Sequence, residues 1–402
     1  MKRVVITGIG AVTSLGCSGG EILSSLQQEK TAFKRPEFDN SIVICPVNGF
    51  DVKSFTGRFK NNRYLNRGAA FALAAAINAV TDAGIPGRLL QQAGLYVGCG
   101  PNLDISEEFP DIKNRHIPWE KHAALWILKF LPNTAASAIS QFLNIHGESA
   151  TFGTACAASL QAMGNAFQKI KWGELPSALA GGGDSRISQS AVMAYKKAGA
   201  LYTGQGDPDQ ACRPFDRDRS GFVCGEGGAF FVLEELDHAR QRKALIYGEI
   251  CGFAASADGY AMTAPKPNGR WAKEAVKKAI DQANVCFDEI DLICAHGTST
   301  PLNDSVEAGL LHELFADTTP AVTGIKSWIG HLSAACGAAE LAIVLLCLQK
   351  KFIPPVRNLT HPCADIGFVM ENPARFSPKA ILLENFGFGG QNCAMVVNPW
   401  TL

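Results

Sequence analysis

Two periods of apolar and polar positions alternate along this chain. Short β-branched runs with no helical spacing read as strands. These are Arg3–Ile9, ending in glycine, Ala93–Val97, leading into Gly98-Cys99-Gly100-Pro101, and Ala150-Thr151-Phe152. Between the first two, Arg67–Ala83 carries Ala and Leu at helical spacing and stops at Gly84. After the turn Gly153-Thr154-Ala155-Cys156 a second helix presents Leu160, Met163, Phe167 and Ile170 on one face and ends at Gly173. Ser177–Ala180 reads as a strand cut by Gly181-Gly182-Gly183, and a polar loop runs from Thr203 to Gly221. Strands around Gly228–Leu233 and Ile246–Phe253 bracket a charged turn and helix. The rhythm then repeats with helix Arg270–Ala283, strand Asp291–Cys294, helix Asp304–Phe315, strand Ala321–Gly324 and helix Ala334–Leu348. Ala380–Glu384 and Cys393–Val397 close the chain as strands.

Such alternation predicts an α/β fold with parallel or mixed sheets. The main boundary falls near residue 245, which gives an N-terminal half, 1–245, and a C-terminal half, 246–402. No flexible linker separates them, so the halves are expected to pack against each other. Residues Gly100–Asn133 are less regular, carry scattered charges and read as an insertion over the core.

Composition narrows the classes. At 47% hydrophobic and 18% charged residues, the chain has ample material for a core, and disorder is excluded as its main state. Basic and acidic residues both number 37, which removes the bulk charge signal for nucleic-acid binding. The 13 cysteines are odd in number and form no C-x-x-C pair, so they read as small buried hydrophobes in a reducing compartment. Lys2-Arg3 before an apolar run resembles a secretory start, but Gly8 and Gly10 interrupt that run. No apolar stretch approaches the ~20 residues needed to cross a bilayer. The chain is expected to be soluble and cytoplasmic.

Four segments carry candidate chemistry. Cys156 lies at a strand-to-helix turn among small residues, where the unpaired N–H groups of a helix N-terminus favour a thiolate. A buried structural cysteine is the competing reading. His296, in Ala295–Thr300, and His331, in Lys326–His331, each follow a strand, which aims them at the usual ligand face of an α/β sheet. A lone histidine is more often structural or a surface residue; two such histidines with a strand-end cysteine point to a Cys-His-His site. Asn385-Phe386-Gly387-Phe388-Gly389-Gly390-Gln391-Asn392 has glycines that let backbone N–H groups face a reacting oxygen, or it is simply a β-turn. Gly8-Ile9-Gly10 lacks the third glycine of a dinucleotide fingerprint. The histidines and acids show no metal-ligand spacing, so no metal is expected.

Together these segments resemble the β-ketoacyl-ACP synthase family, the condensing enzymes of fatty acid and polyketide synthesis, and most closely its synthase II type. The motifs are Thr154-Ala155-Cys156, His296-Gly297-Thr298-Ser299-Thr300 with Asn303-Asp304 and Glu307, and Lys326-Ser327 with Gly330-His331. Arg213-Pro214-Phe215-Asp216 and Gly221-Phe222-Val223 with Gly225-Glu226-Gly227 add to them. The resemblance implies the thiolase fold, two related halves in a five-layered α-β-α-β-α body, usually dimeric. It implies Cys156 as the nucleophile, His296 and His331 as donors to malonyl-ACP, and an oxyanion hole from the backbone N–H groups of Cys156 and Phe388. Phe388 would also gate the site. Lys326 would join the catalytic set, paired with Glu307. Thr298 and Thr300 would bind the pantetheine arm. No resident cofactor is implied, because 4′-phosphopantetheine arrives on the acyl carrier protein.

Several positions depart from that pattern: Gln391, Ala261, the bulky pair Trp328-Ile329, and uncharged Ala124-Leu125 and Gly204 at carrier-docking positions. Lys60, Arg63, Arg67 and Lys129 are the remaining candidates for a docking patch. The departures fit a specialised polyketide or polyene ketosynthase, either a homodimer or a heterodimer with a chain-length-factor paralogue. The alternatives are a non-catalytic chain-length-factor subunit and a thiolase-like CoA-dependent acyltransferase. Intact Cys156 with both histidines argues against the first, and the His296 motif against the second.

Overall fold

The computed structural model describes residues 1–109, 117–371 and 376–400. The apolar, glycine-punctuated runs form strands β1 (Val4–Val12), β2 (Ile44–Cys45), β3 (Gly94–Gly98), β4 (Ser149–Phe152), β5 (Ser177–Ser185) and β6 (Cys224–Glu235). The second part supplies β7 (Gly248–Ala257), β8 (Ile290–Cys294), β9 (Ala321–Thr323), β10 (Ala380–Gly387) and β11 (Gln391–Pro399). Apart from the short β2, which pairs with β6, their order is β4-β3-β5-β6-β1-β7-β11-β10-β8-β9.

That order contains one arrangement twice. Read inwards from either edge, β4-β3-β5-β6-β1 matches β9-β8-β10-β11-β7. The outer pairs β3–β4, β3–β5, β8–β9 and β8–β10 are parallel. The inner pairs β5–β6, β1–β6, β10–β11 and β7–β11 are antiparallel. The two sets join where Val4–Ile6 pair with Gly248–Ile250.

Side-chain alternation then decides the layers. Helices Ala158–Lys171 and Cys336–Leu348 lie between the two sets, and their Leu160, Met163, Phe167, Leu341 and Leu345 share one core with Ile6, Leu383 and Met395. Helix Arg67–Ala83 covers the outer face of the first set, packing with Leu179, Phe230 and Val232. Helices Arg270–Ala283 and Pro301–Leu314 cover the outer face of the second, packing with Ile293, Leu382 and Val396. This is the five-layered α-β-α-β-α body that the family resemblance implies.

The main difference lies in β5, which runs through Gly181-Gly182-Gly183 to Ser185 instead of stopping at Ala180. A Cβ on Gly181 would lie 2.1 Å from the Ala229 carbonyl oxygen, and one on Gly183 would lie 2.6 Å from the Ala72 nitrogen. Gly181 lets the neighbouring strand β6 sit close and Gly183 lets helix Arg67–Ala83 do so, and neither breaks the strand. Helix Pro301–Leu314 also starts a turn earlier than expected, because Pro301 opens it and the Thr300 hydroxyl accepts from the Asn303 N–H at 3.3 Å. Part of the expected insertion, residues 110–116, lies outside the described residues. Beside it the rings of Phe109, Trp126 and Phe130 pack together. All 13 cysteines are free thiols. No helix among the described residues is long and apolar enough to cross a membrane.

Candidate active site

Three strand ends bring the candidate chemistry together. Beyond β4 the chain makes one 3₁₀ turn, Ala155–Ala157, before helix Ala158–Lys171 begins. Ala155 has φ +47°, a left-handed conformation that is costly for a residue with a Cβ. That turn presents Cys156. Beyond β9 a matching 3₁₀ turn, Ser333–Ala335, precedes helix Cys336–Leu348, and Ser333 has φ +48°. His331 lies just before this second turn. His296 follows β8, in a loop held by Asp304, whose carboxylate accepts the N–H groups of Phe215, Thr298 and Ser299 at 2.8, 2.9 and 3.1 Å.

Cys156 Sγ and one ring nitrogen of each histidine lie within 4.8 Å of one another. They line a cavity of about 470 Å³, together with Thr298, Thr300 and Phe388. Hydrogen bonds fix both ring tautomers. The Ser333 N–H donates to His331 Nδ1 at 2.9 Å. Lys326 Nζ and Asn385 Nδ2 sit 3.1 and 3.3 Å from His296 Nδ1, and both groups only donate. Each Nδ1 is therefore an acceptor, and each Nε2 keeps its hydrogen. Burial pushes the His296 imidazole well below its usual range, with Lys326 and His331 adding to it and the Phe386 backbone opposing it. Burial and Lys326 push His331 down to about 3. At neutral pH the site thus holds two uncharged N–H donors. A cysteine and two imidazoles this close also have the makings of a metal triad. However, a ligating imidazole uses its far nitrogen to donate, and here the far nitrogen accepts.

Cys156 departs from its expected state. Burial pushes its thiol up to about 11, outweighing the pull of Lys326 and of the Phe388 N–H. The resting form is a thiol, not the thiolate that the helix N-terminus alone would favour.

Lys326 also has a different partner from the one expected. It pairs with Glu340, and its ammonium also donates to the His296 carbonyl oxygen. Glu307 is already committed, because it accepts the N–H groups of His296 and Gly297 at 2.6 and 2.8 Å and the Asn303 amide at 2.9 Å. Burial opposes the charge on Lys326, but Glu340 with Cys336 and Glu307 together more than offset this, and its pKa stays raised. Burial pushes both Glu307 and Glu384 up; repulsion from Asp304 adds to it at Glu307, and Glu307 adds to it at Glu384. Sequence reasoning missed Glu340 and Asn385. Glu340 had a signal, as the one charged side chain in the apolar helix Cys336–Leu348.

The remaining candidates are placed as follows. The Thr298 and Thr300 hydroxyls bond each other at 2.9 Å, and Thr298 also reaches Asp304 at 3.3 Å, so both enter the cavity wall already partnered. Phe388 sits at the tip of the β10–β11 hairpin, 37% exposed, with its ring 6.4 Å from Tyr195. The Gly389 N–H ties that tip to the Met262 carbonyl at 2.8 Å. Of the four candidate docking cations, Arg67 is bonded to Glu226 and Lys129 to Glu108, which leaves Lys60 and Arg63 exposed.

Comparison with known proteins settles the ancestry. Residues 1–239 match the model for the N-terminal domain of β-ketoacyl synthases, and residues 247–360 match the model for their C-terminal domain. The chain belongs to the β-ketoacyl synthase family. A 3-oxoacyl-[acyl-carrier-protein] synthase 2 from a Synechocystis strain is 32% identical over 99% of this chain and 98% of its own. Among solved structures, an ishigamide ketosynthase/chain length factor superposes with a TM-score of 0.91 at 28% identity, covering all of both chains. The ketosynthase fold also recurs in a type II polyketide synthase acyl-carrier protein complex with its ketosynthase bound to the hexaketide. There the TM-score is 0.89 at 25% identity, over 100% of each chain.

Proposed function

We propose that this β-ketoacyl-ACP synthase condenses a Cys156-bound acyl group with malonyl-ACP, with the roles below. The Cys156 thiol attacks the acyl-ACP thioester. A new C–S bond forms, the pantetheine C–S bond breaks, and the thiol proton passes to the departing pantetheine sulfur. The backbone N–H groups of Cys156 and Phe388 hold the transient oxyanion. A thiol starting near 11 suits this exchange, since nucleophile and leaving group are both thiols and the proton has a destination. Malonyl-ACP then binds with its thioester oxygen between the two Nε2–H groups. Its carboxylate leaves as carbon dioxide, and the electron pair moves onto that oxygen as an enolate. Neutral donors gain strength as charge develops there, and they offer the departing carboxylate no counter-ion in the ground state. The enolate carbon attacks the Cys156 thioester, a C–C bond forms, the C–S bond breaks, and the Cys156 sulfur takes a proton from water. The chain grows by two carbons.

The observation that carries this reading is the convergence of Cys156 with two imidazoles that both present Nε2–H. Thr298 and Thr300 would meet the amides of the pantetheine arm, Lys326 would orient His296, and no resident cofactor would take part. The chain would act as halves 1–245 and 246–402, the first carrying the nucleophile and the second the donors. Its partners would be an acyl carrier protein and a second ketosynthase-type chain, identical or a chain-length-factor paralogue, in the cytoplasm. The solved relatives with those partners support this part of the reading.

The test separates the half-reactions. Intact mass follows the acyl group on Cys156, and carbon dioxide release from malonyl-ACP follows the second step. Cys156→Ala should lose the acyl-enzyme and keep its thermal melt. His296→Ala and His331→Ala should still acylate, while carbon dioxide release falls roughly 10²–10³-fold for each lost donor. Elongation by Cys156→Ala, or normal decarboxylation by both histidine variants, would overturn the assignment.

A further inference from the structure

Asn385 lies on β10, three residues before Phe388, and is fully buried. Both N–H groups of its amide are used. One points at His296 Nδ1, 3.3 Å away, and the other donates to Glu340 Oε2 at 2.9 Å. Glu340 accepts only, so it fixes which end of the amide faces the histidine. The other end, Oδ1, is buried with no hydrogen-bond partner among the described residues. It fits into a notch left by Gly337, where a Cβ would lie 2.1 Å from that oxygen. An oxygen kept buried and unpaired is costly, so this orientation is held against an opposing force.

Lys326 alone leaves His296 under-determined. Its ammonium serves three acceptors at once: Glu340, the His296 carbonyl and His296 Nδ1. A second donor arriving at Nδ1 from β10 closes a fork around that nitrogen. The fork resists rotation of the ring and keeps its one proton on Nε2.

We propose that Asn385 is a positioning residue that holds His296 in its Nε2–H tautomer and orientation for the enolate step. This rests on the role given above to His296. Asn385 acts on the donor and not on the nucleophile, so it affects decarboxylation and spares acylation.

The experiment uses Asn385→Leu, which keeps the shape and removes both donors, and Gly337→Ala, which pushes on the amide from the other side. Both are compared with the parent and with His296→Ala for thermal melt, acylation of Cys156 and carbon dioxide release. The expected result is that Asn385→Leu still acylates and slows decarboxylation by up to roughly 10²-fold. In the His296→Ala background it should cost nothing further, because the residue it positions is gone. Gly337→Ala should fall in the same direction. If Asn385→Leu is folded and releases carbon dioxide at the parent rate, the proposal fails. It also fails if both half-reactions drop together, or if the loss simply adds to that of His296→Ala. A parent enzyme that does not decarboxylate malonyl-ACP would instead overturn the role of His296 itself.

Discussion

The Cys156 thiol, held near 11 by burial, makes a residue-scale prediction about reactivity. Only the thiolate is alkylated, so the iodoacetamide rate at Cys156 should rise about tenfold per pH unit from neutrality to beyond pH ~10. An ordinary thiol would level off near 9.0, the usual cysteine value. A plateau at that pH, followed by peptide mass spectrometry, would contradict the burial argument. The three side chains proposed to react were legible in the sequence because strand ends are where α/β folds present them, and the family resemblance joined them. The partner of Lys326 was not legible. Glu307 and Glu340 are both buried acids on helices, and the choice between them depends on which one already holds backbone N–H groups. Spacing along the chain carries no such information.

Elements show the same division. The boundaries of helix Arg270–Ala283 follow from its periodicity and agree with the structure. β5 did not, because a glycine run that breaks a strand and one that lets neighbouring backbone approach look alike until the facing backbone is known. Gly181→Ala should therefore destabilise the fold by about 1–3 kcal/mol in a denaturant titration, as overpacking does, although alanine is the better residue in most strands. The carboxyl pair between helix Pro301–Leu314 and β10 sets a pH dependence. Glu307 and Glu384 are raised in the folded state above the ordinary 4.5, so the folded protein holds a proton that the unfolded chain releases. Stability from this pair is present at acidic pH and is lost as pH rises through the raised folded values, at about 1.4 kcal/mol per pH unit for one retained proton. Glu384→Gln removes the need for that proton. Its melting temperature should exceed the parent's at alkaline pH, and the gap should shrink on acidification. A gap constant with pH would contradict this account.

At the scale of the whole molecule, the two edges of the strand array differ. β9 is covered by the segment carrying Phe368, which bridges to Val322. β4 is the opposite edge, with no further strand beyond it among the described residues, and elsewhere in the same half Leu125 and Ile127 are 48% and 49% exposed. An uncovered edge and exposed apolar side chains favour association with another chain. Light scattering should give a dimer, and amide exchange across Ser149–Phe152 should slow as concentration rises; a monomer with concentration-independent exchange would contradict this. The five-layered body was legible in the alternation of strand and helix together with the resemblance. The two related halves came with the resemblance too; the order in which their strands pair did not, because it is written in pairing and not in residue identity. The strained turns Ala155-Cys156-Ala157 and Ser333-Ala334-Ala335 are counterparts in the two halves, each leading into a central helix. One of the two turns carries sulfur at its middle. The other has alanine there and is preceded by a loop that seats an imidazole, so a single local shape is used twice over, once to present a thiol and once to lead in a ring.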